Sequence, residues 1–142
     1  MAQINAYLTF DGNCREAMTF YRDCFGGELS LQTVAGSPME AQFPPEARHN
    51  ILHAHLSNSH LTLQGSDLNG QEKLIRGNTI SLSLSCSSEK EIRTFFKKLS
   101  VGGRVAHPLH EFFAGIMGTL TDKFEKDWIL YCEKKPNLNK QP

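Results

Sequence analysis

The sequence predicts an α+β fold in which two βαβββ modules follow one another, and three observations carry that prediction. Two polar helix-start signals, Asn13-x-x-Glu16 and Ser88-x-x-Glu91, stand 75 positions apart, at 13 and at 88. Each opens a segment with apolar residues at helical spacing, and each is preceded by a run that alternates apolar and polar residues. Three further strand-like runs follow each helix, so one unit repeated twice satisfies every signal at once.

The elements follow in order. Ile4, Ala6, Leu8 and Phe10 alternate with Asn5, Tyr7 and Thr9, which is the period of a strand with one apolar face. Asn13 offers a short polar oxygen to free helix amides and Glu16 reaches back, a capping box, after which Ala17, Phe20, Tyr21 and Cys24 form the core stripe of a helix. Gly26-Gly27 supplies the positive φ that ends it. Strands are predicted over 28–34, 51–56 and 61–64, the last two joined by a tight turn at Ser57-Asn58-Ser59-His60. The proline-bearing stretch 36–50 reads as an inserted loop.

The second half repeats the plan. Ile80, Leu82, Leu84 and Cys86 alternate with Ser81, Ser83 and Ser85. Ser88 caps a helix whose stripe is Ile92, Phe95, Phe96 and Leu99, and Gly102-Gly103 follows it. Strands are predicted over 105–109, 113–121 and 128–132, with the stretch T-D-K-F-E-K-D-W-I-L closing the final hairpin. The expected organisation is one domain over residues 1–135, made of modules at about 3–66 and 78–134, with 136–142 as a flexible tail.

With 142 residues, the chain is long enough to hide about 68% of its extended surface without metal or disulfide staples. Fifteen basic and fifteen acidic residues cancel and are scattered, which argues against a nucleic-acid or anionic-membrane partner. The N-terminus has no basic region followed by an apolar one, and no apolar run approaches the ~20 residues that span a bilayer, so a cytoplasmic protein is expected. Cys14, Cys24, Cys86 and Cys132 form no C-x-x-C pair and read as buried free thiols.

Paired βαβββ modules with F-Y-R-D-C-F-G-G-E after the first strand, H-A-H-L on the third and D-K-F-E-K-D-W-I in the final hairpin resemble the vicinal oxygen chelate superfamily, and within it the glyoxalase-like, PhnB-like branch. The resemblance covers residues 3–134 and departs at Glu125, where the branch usually has glycine. It implies that each module curls into a mixed sheet with its helix on the convex side and a ligand cleft on the concave side. With Ile4, Leu8, Leu82 and Leu84 toward the helices, the cleft side receives Asn5, Tyr7 and Thr9 from the first strand and Thr79, Ser81 and Ser83 from the fifth. Leu52, Ala54 and Leu56 then pack inward, leaving His53 and His55 on the cleft side with Thr62 and Gln64, while Phe113, Met117 and Thr119 supply an opposing wall. Tyr7, Phe113 and Trp128 are candidate aromatic walls.

Catalytic members of the superfamily hold a divalent ion with side chains from the first and last strands of each module. Those places fall near Asn5, Leu63 or Gln64, Thr79 and Ile129, and one amide oxygen does not displace an ion's hydration shell. An improvised site would use His53 and His55, two apart on a strand, with His107, His110 or Glu111 as third ligand. Without a metal, His53 or His55 is the candidate general base, since imidazole exchanges protons near neutrality. The branch carries methyltransferase-like names, but the sequence has no glycine-rich strand-to-helix turn with an acidic ribose ligand. The expectation is a homodimer that binds a small organic molecule and requires no metal or other cofactor. The alternatives are a metal-dependent lyase, isomerase or dioxygenase with displaced ligands, or an interaction module with no ligand.

Overall fold

The computed structural model describes residues 1–68 and 72–134. The chain divides between Arg76 and Gly77 into two compact units, each a βαβββ module. In the first, β1 (Ala6–Phe10), α1 (Cys14–Phe25), β2 (Glu28–Thr33), β3 (Ile51–Ser57) and β4 (Thr62–Asp67) give a four-stranded sheet in the order β1-β4-β3-β2. In the second, β5 (Leu82–Cys86), α2 (Glu89–Ser100), β6 (Arg104–Phe112), β7 (Gly115–Thr121) and β8 (Asp127–Glu133) give the order β5-β8-β7-β6. The first and last strands of each module run parallel and the other neighbours antiparallel, so the sequence repeat is a repeat of topology. Neither sheet closes on itself.

Each helix covers one face of its own sheet. Cys14, Ala17, Met18, Tyr21 and Cys24 are buried along α1, and Ile92, Phe96 and Leu99 along α2. Beneath α1 lie Leu8, Phe10, Ala54, Leu56 and Leu63; beneath α2 lie Ile116, Leu120, Trp128 and Leu130. Phe20 and Phe95, expected in the two stripes, are only half-buried, and Met18 takes the core place in α1.

Both helices keep the 75-position shift, from Cys14 to Glu89 at the start and Phe25 to Ser100 at the end, but the strands before them are shifted by 76, from Ala6 to Leu82. The Asp11-Gly12-Asn13 connection is one residue longer than Ser87-Ser88, and the caps differ accordingly. Ser88 Oγ accepts from the Glu91 amide at 3.1 Å, and Glu91 reaches back to the Ser87 amide at 2.9 Å. Asn13 makes no side-chain cap. Asp67, arriving from β4, replaces it: Oδ1 accepts from the Gly12 and Cys14 amides, each at 2.9 Å, and Oδ2 accepts from the Ile51 amide at 2.8 Å. One carboxylate therefore ties the α1 start to two strands.

Several boundaries move. β1 and β5 begin at Ala6 and Leu82, so Ile4, expected against the helix, is 100% exposed. Asn5, Thr79 and Ser81 precede the strands that were to carry them. The β2–β3 register skips Leu52, pairing Gln32 with His53 and Thr33 with Ile51, which leaves Leu52 half-buried at a bulge rather than in the core row. β6 continues to Phe112 and β7 starts at Gly115, which puts Phe113 in the turn between them, fully exposed. The inserted loop contains two short 3₁₀ turns, Glu40–Gln42 and Pro45–Ala47, anchored by buried Ala47 and by Ser37 Oγ donating to the Val34 carbonyl at 2.7 Å. The predicted tail at 136–142 lies outside the described residues.

Candidate functional site

Register decides which side chains share the face turned away from each helix, because partners on neighbouring strands point the same way. In the first sheet, Tyr7 pairs with Gln64, Gln64 with His55 and His55 with Ser30, a row crossing all four strands. His53 pairs with Gln32 on the same face, and its ring lies 6.0 Å from that of Tyr7, tilted by 33°. Thr62 pairs with Ser57 at the next step of the face. Of the residues named from sequence, Tyr7, His53, His55, Thr62 and Gln64 are thus brought onto one surface. Ser30, Gln32 and Ser66 join them unforeseen; only pairing of β2 and β4 with their neighbours, which a single sequence does not give, would have found them.

The chemistry of this face is hydroxyl, amide, imidazole and phenol. Glu28, at the end of β2, is the one carboxylate at its strand positions among the described residues, which include no lysine or arginine there. Such a surface offers hydrogen bonds and ring contact rather than an ion pair. Asn5 lies just off it. With Thr62, Asn58 and His60 it lines an open, polar groove of about 350 Å³ beside the β3–β4 turn.

The second sheet presents a different row in the same topological place. Ser83 pairs with Ile129, Ile129 with Thr119 and Thr119 with His107. Met117, Tyr131 and Ser85 occupy the adjacent row, with the Phe112 ring 5.8 Å from that of Tyr131. Ser83 and Met117 therefore share a face. Phe113 does not: it stacks edge-on against Phe112 at 5.4 Å in the exposed hairpin turn. Trp128 lies on the helix side, 4% exposed, and is no wall of an open site.

A resident divalent ion of the kind the fold implies does not fit these residues. Leu63 is buried on the helix side, leaving Gln64 as the outward one of the two, and its counterpart on β8 is the alkyl group of Ile129. Glu111, weighed as a third ligand, pairs with buried Ile116 on the face opposite His107 and His110. It lines instead a cleft of about 220 Å³ at the start of α2, with Ser88, Ile116 and Cys132. Burial, the Glu91 carboxylate and neighbouring Cys132 push the Cys86 thiol up to about 12. No helix among the described residues is long and apolar enough to cross a membrane.

Two open, mixed βαβββ sheets define a glyoxalase-like fold. The solved glyoxylase/bleomycin resistance protein/dioxygenase domain from Frankia sp. EAN1pec matches it with a TM-score of 0.65 over 96% of each chain at 15% identity, a likeness of fold alone. Nearer in sequence are protein PA1353 from Pseudomonas aeruginosa, with TM-score 0.86 and 33% identity over 95% of this chain and 100% of that one, and the Bacillus cereus PhnB protein described as a putative 3-demethylubiquinone-9 3-methyltransferase, with TM-score 0.74 and 25% identity over 92% and 99%. Residues 2–130 match the model of the 3-demethylubiquinone-9 3-methyltransferase family, and the chain belongs to that family.

Proposed function

We propose that the protein binds a small organic molecule on the open face of its first sheet, and does so without a required metal. The observation that carries this reading is the row Tyr7, Gln64, His55 and Ser30 with the Tyr7 ring set against His53: donors, acceptors and an aromatic surface converge where almost no charge stands. Thr62 and Asn5 extend the polar surface; Ser81, Ser83 and Met117, named from sequence, belong to the second unit and are not counted in this face. His53 or His55 is the candidate general base on this face, and an enolisation or isomerisation is the chemistry it suits. Phe113, in its exposed turn, is withdrawn from the set.

The family's name describes a methyl transfer. A strand-to-helix turn that holds a dinucleotide offers free amides to its phosphates, and in this chain the Gly12 and Cys14 amides of that turn are bonded to Asp67. That turn is therefore a carboxylate-capped helix start and not a phosphate cradle. A cytoplasmic homodimer remains our expectation for its setting.

The test is a thermal-shift screen of small organic molecules on chelator-treated protein. A compound that raises the unfolding midpoint of the wild type, and not that of His55→Ala or Gln64→Ala, supports the reading. Binding that requires an added divalent ion would favour the displaced-ligand metalloenzyme, and a screen without hits the interaction module.

A further inference from the structure

Edge strand β6 slips register against β7. His107 pairs with Thr119 and His110 with Met117, so β6 advances three residues while β7 advances two, and the Pro108-Leu109 step absorbs the extra one as a bulge. In a regular strand, two residues three apart point to opposite faces. The bulge returns both imidazoles to the face of Thr119 and Met117, away from α2. Proline is tolerated because β6 is an edge strand. Leu109 is accommodated by Gly118: a Cβ there would stand 2.7 Å from Phe96 Cε2 and 3.0 Å from Leu109 Cδ2.

Both rings are anchored by Nδ1. His107 Nδ1 lies 2.8 Å from Thr119 Oγ1, and His110 Nδ1 lies 2.9 Å from the Pro108 carbonyl. A carbonyl only accepts, so His110 donates its Nδ1–H to it, and in the neutral ring Nε2 is then the acceptor nitrogen. This is how a metal-binding imidazole is held, with one nitrogen tied to the protein and the other free. Met117, directly across from His110 on the same face, adds a thioether within ordinary cross-strand reach. Two imidazoles and a thioether suit copper, the sulfur favouring the reduced ion, and suit magnesium or calcium poorly.

We propose that His107, His110 and Met117 form a copper-binding site on the edge of the second sheet, independent of the small-molecule face on the first. The test is titration of the metal-stripped full chain with Cu(I) against a chromogenic competitor, beside Zn²⁺. We expect one Cu(I) per chain, held more tightly than zinc. His107→Gln, His110→Gln and Met117→Leu should each weaken Cu(I) by about tenfold or more. All three side chains are exposed or half-buried, so the variants should unfold at the wild-type temperature, which separates lost ligation from lost structure. Absence of saturable Cu(I) binding, or wild-type affinity in any of the three variants, overturns the site.

Discussion

Trp128 Nε1 donates to Asp122 Oδ2 at 2.8 Å, joining the largest side chain of β8 to a carboxylate that is 0% exposed. Asp122 Oδ1 also accepts from the Phe124 and Lys126 amides, at 2.8 and 3.1 Å, so this one side chain organises the whole β7–β8 turn. The stretch 121–130 therefore closes a hairpin from inside the core. Trp128→Ala is expected to cost about 3 to 5 kcal/mol, as aromatic truncations in cores do. Asp122→Ala is expected to cost about 3 kcal/mol or more, because three donors lose a buried acceptor. A double-mutant cycle of Asp122→Asn with Trp128→Phe, followed by urea unfolding, should show coupling of about 1 kcal/mol. Additive costs would deny that the pair acts as a unit.

Glu125 sits at φ 66 in that turn and makes a two-pronged pair with Arg104, Nη1 to Oε1 at 3.0 Å and Nη2 to Oε2 at 3.2 Å. That carboxylate holds the exposed Arg104 guanidinium above its ordinary pKa, first through hydrogen bonding and then through charge. Glycine relieves the left-handed backbone while losing the solvent-screened pair, two opposing effects. Glu125→Gly should leave the urea midpoint nearly unchanged, and Glu125→Val, which keeps the strain without the pair, should lower it. An equal drop in both variants would show that the ion pair, not the backbone, governs this turn.

Asp67 is expected to matter more than either residue of the sequence's own start signal. Asp67→Ala removes the α1 cap and leaves the Ile51 amide without its acceptor, for about 2 to 4 kcal/mol. Ser88→Ala should cost about 1 kcal/mol, as an ordinary cap does. Asn13→Ala should be within about 0.5 kcal/mol of wild type, since Asn13 makes no side-chain cap. Chemical denaturation of the three variants orders them directly.

This contrast shows what was legible in the sequence. Strand and helix periods are local, so both modules, their order and the row of His53 and His55 opposite Ala54 and Leu56 could be read from spacing alone. Caps and bulges are settled by distant partners. Nothing near Asn13 reveals that Asp67 will reach its turn, and nothing in His107-Pro108-Leu109-His110 says that the register slips. From sequence a strand is expected to start at Phe113; the hairpin turns there instead, because Gly115 brings the chain back close against the Cys132 carbonyl, where a side chain would collide.

The four cysteines are buried, at 0, 5, 8 and 6% exposure for Cys14, Cys24, Cys86 and Cys132. A thiol reagent at pH 8 should label the native protein slowly and reach four thiols only in denaturant. Cys86 adds a pH signature. Its folded pKa of about 12 stands above the ordinary thiol value of 9.0, so the unfolded chain loses that proton first as pH rises. Folding is therefore unpenalised by Cys86 below about pH 9 and loses stability from there to about pH 12. Cys86→Ala should lose less stability than wild type across that interval; equal slopes would assign the alkaline loss to other groups.

The last prediction concerns assembly. Ile4 and Phe113 are fully exposed and Ile80 is 80% exposed, an unusual placement for large apolar side chains that stand beside strand ends. Among the described residues the sheets also leave β1, β2, β5 and β6 as edges, each with one strand neighbour. A second copy of the chain would cover exposed apolar side chains of this kind and pair with an open edge strand. Sedimentation at micromolar concentration should therefore show a species of twice the 15.9 kDa chain mass. Ile4→Glu or Phe113→Glu should shift it toward monomer without lowering helix and strand content, since neither residue supports the core of its own module. A single 15.9 kDa species across that range would reject the dimer and leave these side chains to some other partner.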